Sequence, residues 1–367
     1  MQVLTGDIGG THTRLAMGCL DDNGIRITRR ETFPSQDYAS LSDIITRYRP
    51  AGESPPGAAA FGVAGPVRQG VSRITNLPWE ISRQQLASHL ELDAVYLLND
   101  LEAMAWGIGS LEPAELVGLR SGCAGAAGNR AVIAAGTGLG QAGLYADGKR
   151  FRPFATEGGH ADFAAQTERD WLLLQHLQKR HGHVSWERLV SGPGLVTLYE
   201  FVLQQHKAAA PAWLTAGEEA PGPHITRLAL EATDPLCVET LHWFVELYGR
   251  EAGNVALKMN ATGGLYLGGG VAPAILPALQ DGRFIEAFLD KGRMRPLLEG
   301  MSVQVICSDL VAHKGLVRYA LDAGGNSRYL TTLSEGRGDL SPGPPPSGPG
   351  PSSSSSLNIM PRPFSLA

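Results

Sequence analysis

The sequence predicts an α/β protein built from two lobes that face each other across a cleft. Three observations favour this architecture. The chain has 367 residues, more than one hydrophobic core usually organises. A strand, a turn rich in Gly and Thr, and further strands are predicted in residues 2–33, and the same pattern returns in residues 130–155. After the first copy, apolar strand-like runs alternate with helix-like segments, as they do in α/β proteins.

Each copy of the repeated pattern consists of short apolar runs separated by turn residues. The turns are Gly9-Gly10-Thr11 and Asp21–Gly24 in the first copy, and Gly136–Gly140 and Asp147-Gly148 in the second. The strands of these two meanders are predicted at Val3–Ile8, Arg14–Leu20, Ile25–Phe33, Ala131–Ala135 and Gln141–Tyr145, with a third strand after Gly148.

Periodicity and capping residues predict the remaining elements. Further strands are expected at Ala58–Val63, Ala94–Leu98 and Val303–Cys307, and helices at Leu41–Tyr48, Ser82–Leu90, from Asn99-Asp100, from Thr167 to Lys179, from Asp234-Pro235 toward Met259 and at Asp309–Asp322. We therefore expect a small lobe over residues 1–110, to which a C-terminal helix at about 309–325 returns, and a large lobe over 111–308. Residues 331–367 are predicted to be a disordered tail, because their Pro- and Ser-rich composition cannot bury a core.

Composition and charge exclude several classes of protein. A formal net charge of -5 and a pI near 6.1 are unlike the basic surface of a nucleic-acid binder. The four cysteines are far apart in sequence, which argues against zinc and against a disulfide scaffold. The N-terminal MQVLTGDIGG lacks the features of a signal peptide, and Gly or Pro interrupts the apolar runs before they could span a membrane. We expect a cytoplasmic protein without nucleic-acid or membrane partners.

The two glycine-rich turns are candidate phosphate-binding loops. Glycines allow backbone N–H groups to approach phosphate oxygens closely, and a threonine adds a hydroxyl donor. The first comprises Gly6, Asp7, Ile8, Gly9, Gly10 and Thr11, and the second Gly136, Thr137, Gly138, Leu139 and Gly140. Asp7 is placed to hold Mg²⁺ through water. A plain glycine turn is the alternative for either loop, but two matching turns across a cleft favour a phosphate clamp.

Other nucleotide-binding motifs fit the sequence poorly. Residues 138–143 match the dinucleotide pattern GxGxxG, but a second strand is predicted after them where that motif requires a helix. The same residues resemble a protein-kinase glycine loop, with Lys258 in a lysine-like motif. That lysine lies on a predicted helix more than 100 residues away, and the sequence contains no HRD, DFG or Walker A motif.

Asn99-Asp100 lies where a buried strand ends and a helix begins, the position at which α/β proteins often place chemistry. Beside a helix N-terminus Asp100 is expected to stay ionised. An ionised carboxylate accepts the proton of an attacking hydroxyl as a general base. The alternative is that this pair only caps the helix.

Three further polar residues have the chemistry to bind a sugar. Glu157 and His160 belong to Glu-Gly-Gly-His, and Glu187 precedes Ser191-Gly192-Pro193-Gly194. Carboxylates bind adjacent hydroxyls bidentately, while an imidazole donates or accepts. Taken singly, His160 could instead be a structural histidine and Glu187 an exposed helix charge.

Taken together, these residues resemble the bacterial glucokinase family, whose members have two actin-like (ribonuclease H-like) lobes, each with a β-meander/βα core. The resemblance covers residues 2–325 and rests on seven ordered motifs: GDIGGTHTRLA, ITNLPWEIS, LLNDLEAMAWGI, AAGTGLGQAGL, EGGHADFA, ERLVSGPGL and GGLYLGGGVAP. One departure is His12, where the family often has asparagine. The related repressor and kinase group carries a Cys-rich zinc motif after its EGGH-like segment, where this chain has Ala161-Asp162-Phe163.

The resemblance implies a role for each motif. Gly6–Thr11 and Gly136–Gly140 correspond to the phosphate loops, and Gly268, Gly269 and Gly270 to a turn on the adenosine side. Asn99, Asp100, Glu157, His160 and Glu187 correspond to the glucose-binding set, with Asp100 as the base. The resemblance further implies ATP and Mg²⁺ without zinc, and a homodimer.

Two other classes of function remain open at this point. A sugar sensor or repressor would need a DNA-binding segment, and none precedes the first predicted strand. Another enzyme of the same fold, such as a fructokinase, an acetate kinase-like enzyme or a polyphosphate-using kinase, would differ in its acceptor or its phosphoryl donor.

Overall fold

The computed structural model describes residues 1–49, 54–74, 77–123, 126–148, 150–216 and 220–324. Gly325 and the tail expected over residues 331–367 lie outside these ranges. No helix in the described part of the chain is long and apolar enough to cross a bilayer.

The first half of the chain begins with a three-stranded meander and continues with alternating helices and strands. Its elements are β1 (Gln2–Ile8), β2 (His12–Asp21), β3 (Gly24–Pro34), α1 (Leu41–Tyr48), β4 (Ala58–Val63), β5 (Val71–Arg73), β6 (Glu80–Ser82), α2 (Arg83–Leu90), β7 (Val95–Asn99) and α3 (Asp100–Gly107).

The second half repeats the meander and is richer in helices. Its elements are β8 (Leu116–Arg120), β9 (Arg130–Ala135), β10 (Leu139–Ala146), β11 (Phe151–Thr156), α4 (Glu168–His181), α5 (Gly192–Gln205), α6 (Trp213–Ala216), α7 (Pro221–Leu230), α8 (Pro235–Met259), β12 (Leu265–Gly268), α9 (Val271–Ala274), α10 (Leu276–Leu279), α11 (Arg283–Leu289), α12 (Arg295–Glu299), β13 (Val303–Ile306) and α13 (Val311–Ala323).

The two large sheets share one topology. The first has the strand order β3-β2-β1-β4-β7, and the second has the order β11-β10-β9-β12-β13 with β8 added at its edge. In each sheet the meander strands pair antiparallel and the following strands pair parallel to the first strand. The predicted repeat and α/β fold are therefore confirmed, and the edge strand β8 and the small β5–β6 hairpin were not predicted.

Strand β4 is a central parallel strand with an apolar core on each of its two faces. All six of its residues are buried, as expected for a strand covered on both sides. Because side chains alternate along a strand, Ala59, Phe61 and Val63 join one apolar cluster with α1, while Ala58 and Ala60 join another with α13. The small alanines allow α13 to pack closely against the sheet.

Helix α8 is the longest helix described, with 25 residues, and it begins where Asp234-Pro235 predicted. The Asp234 carboxylate accepts hydrogen bonds from the N–H groups of Leu236 and Cys237, at 2.8 and 3.1 Å. The helix ends at Asn260 in the left-handed conformation, which asparagine tolerates better than most residues. Most of its length is buried in the core below the second sheet.

Helix α13 returns to the first sheet, as predicted, although it starts at Val311 rather than Asp309. It packs backbone to backbone against α3 through two glycines. A Cβ added at Gly315 would lie 1.8 Å from the carbonyl oxygen of Ala103, and one at Gly107 would lie 1.9 Å from that of Val311. No side chain fits in this contact, so α3 and α13 form one rigid layer.

We predict that Gly315→Ala destabilises the protein strongly. The added methyl group would overlap the Ala103 carbonyl, and forced overpacking typically costs about 1–3 kcal/mol or more. Thermal unfolding of the variant measures the effect. Gly118→Ala in β8 is the matched control, because a Cβ there meets no atom within 4 Å. If Gly315→Ala had the same Tm as Gly118→Ala, the two helices would be able to move apart without loss of stability, and the prediction would be wrong.

Candidate active site

The junction between β7 and α3 forms the first part of the site. Asn99 is the residue that caps α3, because its Oδ1 accepts hydrogen bonds from the N–H groups of Leu101 (3.0 Å) and Glu102 (3.3 Å). Its Nδ2 donates to the carbonyl oxygen of Gly65 at 3.2 Å. Asn99 therefore caps the helix, whatever its role toward a ligand, and Asp100 is the first residue of the helix itself.

Asp100 lies against the first sheet, since a Cβ added at Gly62 would be 3.6 Å from its Cα. Burial, with the negative charges of Asp7 and Glu157, raises the pKa of the Asp100 carboxyl from its ordinary value of 3.8 to about 7. A hydrogen bond of 2.9 Å from the Leu101 N–H opposes the rise. The expectation from the helix terminus alone, a fully ionised carboxylate, was therefore wrong at neutral pH. A pKa near 7 suits a general base.

Glu157, His160 and Glu187 form the second part of the site. His160 Nε2 lies 3.9 Å from Glu157 Oε2, and His160 Nδ1 lies 3.8 Å from Glu187 Oε1. These distances exceed a hydrogen bond, and the side chains of Glu157 and His160 are more than half exposed, at 63% and 60%. The three side chains therefore lie close together, and His160 forms no hydrogen bond with either glutamate.

Backbone pairing brings Glu187 to this cluster from 27 residues beyond His160 in sequence. The N–H of Trp186 donates to the Ala161 carbonyl at 3.0 Å, so the two short turns that carry His160 and Glu187 lie side by side. Glu187 Oε2 also accepts a hydrogen bond of 3.0 Å from the Leu139 N–H. Glu187 is therefore not an isolated helix charge, because it is bonded to the second glycine turn.

The first glycine turn divides into buried and accessible members. Ile8 is fully buried, and Gly6 lies under Phe61, so both pack within the sheet. The members that reach the surface are Asp7, Gly9, Gly10 and Thr11. The Gly9 N–H donates to the carbonyl oxygen of exposed His12 at 2.9 Å, a backbone bond that either histidine or asparagine provides.

The second glycine turn (Gly136–Gly140) and the glycine turn at Gly268–Gly270 each contain some glycines that other residues pack against and some that have free space beside them. Gly140 lies under the Leu101 side chain and Gly268 under Met104, so α3 packs on both. Gly269 has φ +78, and a Cβ there would lie 2.2 Å from the Ala135 carbonyl oxygen. In contrast, a Cβ on Gly136 or Gly270 meets no atom within 4 Å, so protein packing does not require glycine at these two positions. Thr137 is exposed beside Gly136, and Gly138 lies against Glu187.

The N-terminus of α5 is a part of the site to which the sequence analysis assigned no role. Ser191 caps this helix by accepting a hydrogen bond from the Gly194 N–H at 3.0 Å, and its hydroxyl donates to the Glu187 carbonyl at 2.8 Å. The Gly192 N–H donates to the Gly136 carbonyl at 2.8 Å. The Ser-Gly-Pro-Gly sequence was the available signal, since Ser before Pro marks a helix start.

Asp7 is the residue predicted from the sequence to hold Mg²⁺ through water, and that role stays a prediction. Its Oδ2 pairs with Arg14 Nη1 at 3.1 Å, and its charge raises the pKa of Asp100. Mg²⁺ is commonly held by one or two carboxylates together with substrate phosphates. Among the residues that the structure describes, no three His, Cys, Asp or Glu side chains form a metal cluster by themselves. The expected absence of zinc stays a prediction.

Comparison with known proteins identifies the family. The glucokinase family model matches residues 4–323. The chain belongs to the glucokinase family. A curated glucokinase of Nostoc punctiforme is 40% identical over 339 residues, which cover 88% of this chain and 98% of that protein. Members of the family phosphorylate glucose with ATP, and this chain is an ATP-dependent sugar kinase.

Solved structures agree with the family in fold. A glucokinase from an Antarctic psychrotroph is 32% identical with a TM-score of 0.76, covering 88% of this chain and 99% of that one. A glucokinase of Streptomyces griseus, in complex with glucose and AMPPNP, is 21% identical with a TM-score of 0.60 and covers 88% of this chain and 99% of that one. The predicted actin-like α/β fold is confirmed.

The raised pKa of Asp100 predicts that its ionisation destabilises the fold. An acid whose pKa is higher in the folded protein than in the unfolded chain binds its proton more tightly when folded. Ionising Asp100 therefore lowers the free energy of unfolding. This loss of stability is absent below pH 3.8, grows as the pH rises, and is complete above about 7. Asp100→Asn cannot ionise, so we expect it to raise Tm, and to raise it more at about pH 8 than at about pH 5.

Asp22→Asn, in the exposed turn between β2 and β3, is the control for this measurement and should show no such pH-dependent difference. An Asp100 variant whose Tm changes equally at both pH values would contradict the proposed burial of charge.

Proposed function

We propose that this enzyme transfers the γ-phosphoryl group of ATP to the 6-hydroxyl of glucose, with Asp100 as the general base. The observation that carries the proposal is the burial of Asp100 near the negative charges of Asp7 and Glu157, which together raise the pKa of Asp100 to about 7. A base of this strength is ionised often enough near neutral pH to accept a hydroxyl proton.

In this proposal the sugar lies between the two parts of the site. Asn99 and Asp100 bind it from the α3 side, and Glu157, His160 and Glu187 bind it from the other. The carboxylate oxygens and imidazole nitrogens of the second group form no hydrogen bond with one another, and such a cluster suits a ligand with several adjacent hydroxyls. Glucose presents such hydroxyls around its ring, so each polar side chain obtains a partner when the sugar binds.

The reaction follows from these positions. Asp100 accepts the proton of the 6-hydroxyl while that oxygen forms a bond to the γ-phosphorus, and the bond from the γ-phosphorus to the bridging oxygen of ADP breaks. We propose that the N–H groups of the exposed glycines, with the Thr11 and Thr137 hydroxyls, bind the phosphate oxygens. Gly268–Gly270 is assigned to the adenosine side. Mg²⁺, held by Asp7 through water, would supply charge neutralisation on the phosphates.

We also propose that the small lobe spans residues 1–110 with the C-terminal helix, that the large lobe spans 111–308, and that the enzyme is a cytoplasmic homodimer without zinc. The four free cysteines are in keeping with a reducing compartment.

Asp100→Asn tests the general base directly. The substitution leaves the Asn99 cap in place, so glucose binding should persist while kcat falls about 10²–10⁴-fold, the usual contribution of a positioned base. The measurement is a coupled assay of glucose 6-phosphate with ATP and Mg²⁺. A sugar and donor panel with fructose, acetate and polyphosphate separates the related activities.

Glu102→Gln, on the same turn of α3, is the matched control and should retain kcat. Wild-type kcat/KM should decline as the pH falls below about 7, because Asp100 then carries a proton. An Asp100 variant that keeps wild-type kcat would require a different base.

Gly136→Ala tests the assignment of the second glycine turn. Its methyl group would meet no protein atom within 4 Å, so folding should be unaffected. If a phosphate approaches this backbone, the methyl displaces it, and KM for ATP should rise on the order of 10-fold to 100-fold, the effect of misplacement by about 1 Å. Gly118→Ala, equally open, is the control. Equal ATP kinetics in the two variants would remove this turn from the nucleotide site.

A further inference from the structure

Helix α8 buries a carboxyl group that the reaction does not use. Glu251 is 0% exposed in the middle of this helix. A buried carboxyl group is costly unless it is hydrogen-bonded, and burial raises the pKa of Glu251. Two side-chain amides bond to it: Gln141 Nε2 donates to Oε1 at 2.7 Å, and Asn254 Nδ2 donates to Oε2 at 2.9 Å. Asn254 lies on the same helix, whereas Gln141 comes from β10, 110 residues away in sequence.

The bond to Glu251 determines how the Gln141 amide is oriented. Gln141 is 1% exposed, so its side chain has no water to turn toward. With the NH2 group directed at Glu251, the amide oxygen lies against Gly158, where an added Cβ would be only 2.1 Å from it. Rotation of the amide would place the larger NH2 group against this glycine and would leave the carboxyl group without its donor.

The backbone of Gln141 contacts the same turn. Its carbonyl oxygen accepts a hydrogen bond of 3.0 Å from the Thr156 hydroxyl, and Thr156 Oγ1 accepts one of 3.2 Å from the Gly158 N–H. Gln141 thus supports the turn through both its backbone and its side chain. Gly158 directly follows Glu157 and lies two residues before His160, so displacement of Gly158 moves both side chains.

We propose that Glu251 is a positioning residue for sugar binding, acting through Gln141 on the turn that carries Glu157 and His160. The inference rests on the proposed sugar site. Glu251 itself does not touch the sugar. Its effect should appear in glucose binding and not in ATP binding, because the Gln141 side chain that Glu251 orients contacts Gly158, whereas only the Gln141 backbone adjoins the second glycine turn.

Glu251→Met is the informative variant, since methionine is unbranched, similar in length and favourable in helices. It removes the acceptor without opening a large cavity. We expect KM for glucose to rise about 10-fold to 100-fold, the scale of a misplacement of up to about 1 Å, with KM for ATP unchanged. Glu251→Gln should restore a nearly normal KM for glucose, because its amide oxygen accepts from Gln141 and Asn254 can turn to accept from its NH2 group.

Two further variants separate positioning from general stability. Tyr248→Phe lies on the same helix and removes a buried hydrogen bond of 3.3 Å to the Ile133 carbonyl, so it should lower Tm without raising KM for glucose. The double variant Glu251→Met/Gln141→Met removes the Gln141 amide together with its acceptor, so only the Asn254 amide loses a partner, and it should fold even where the single variant does not. If Glu251 acts through Gln141, the double variant should have nearly the same KM for glucose as Gln141→Met alone.

The results show separately whether the sugar site and the role of Glu251 are correct. Glu157→Gln tests the site itself, and an unchanged KM for glucose there would refute the sugar assignment. A raised KM in Glu157→Gln combined with an unchanged KM in Glu251→Met and in the double variant would overturn the role of Glu251 alone. Equal losses for glucose and ATP in the Glu251 variant would also overturn it, since a purely structural role predicts them.

Discussion

The close contact between α3 and α13 is the constraint on which the arrangement of the site depends. Gly107 and Gly315 bring the two helix backbones together without side chains between them. The same α3 helix lies under Gly62 of the first sheet and over Gly140 and Gly268 of the second. Its first residue, Asp100, is thereby placed against the first sheet and near the charges of Asp7 and Glu157. Glycines in α13 and in both sheets therefore determine the position of the carboxylate proposed as the base.

The electrostatics of the site follow from this placement. Asp7, Asp100 and Glu157 come from distant parts of the chain, and the fold both buries Asp100 and brings the other two negative charges near it, which raises the pKa of Asp100 to about 7. An arrangement of like charges opposes folding and would not be selected for stability. The cluster of Glu157, His160 and Glu187 adds polar groups with unfilled hydrogen-bonding capacity. The like charges are a cost that a cation can offset, whereas the exposed polar groups of the cluster can exchange water for the hydroxyls of a ligand.

Local sequence was sufficient to predict the strands and most helix starts, because their signals are local. The boundaries of β4 and the start of α8 were predicted correctly from an apolar run and from Asp234-Pro235. The protonation of Asp100 could not be predicted, since it depends on Asp7 and Glu157, which are 93 and 57 residues away. The bond between Gln141 and Glu251 has no local signal either, because only the packing of α8 on the second sheet creates it. The candidate sugar residues were assigned to one glucose site only through the family resemblance, since His160 and Glu187, taken singly, each had a structural explanation.

The return of α13 to the first sheet also bears on how the protein is synthesised. Val3, Ala58, Ala60 and Leu98 form an apolar surface that is covered by Leu316, Val317, Ala320 and Leu321. When the first sheet leaves the ribosome, its covering helix lies more than 200 residues downstream and has not yet been made. One face of the nascent first domain therefore stays uncovered until nearly the whole second domain has been translated, and such exposed apolar faces are where chaperones bind and aggregation begins.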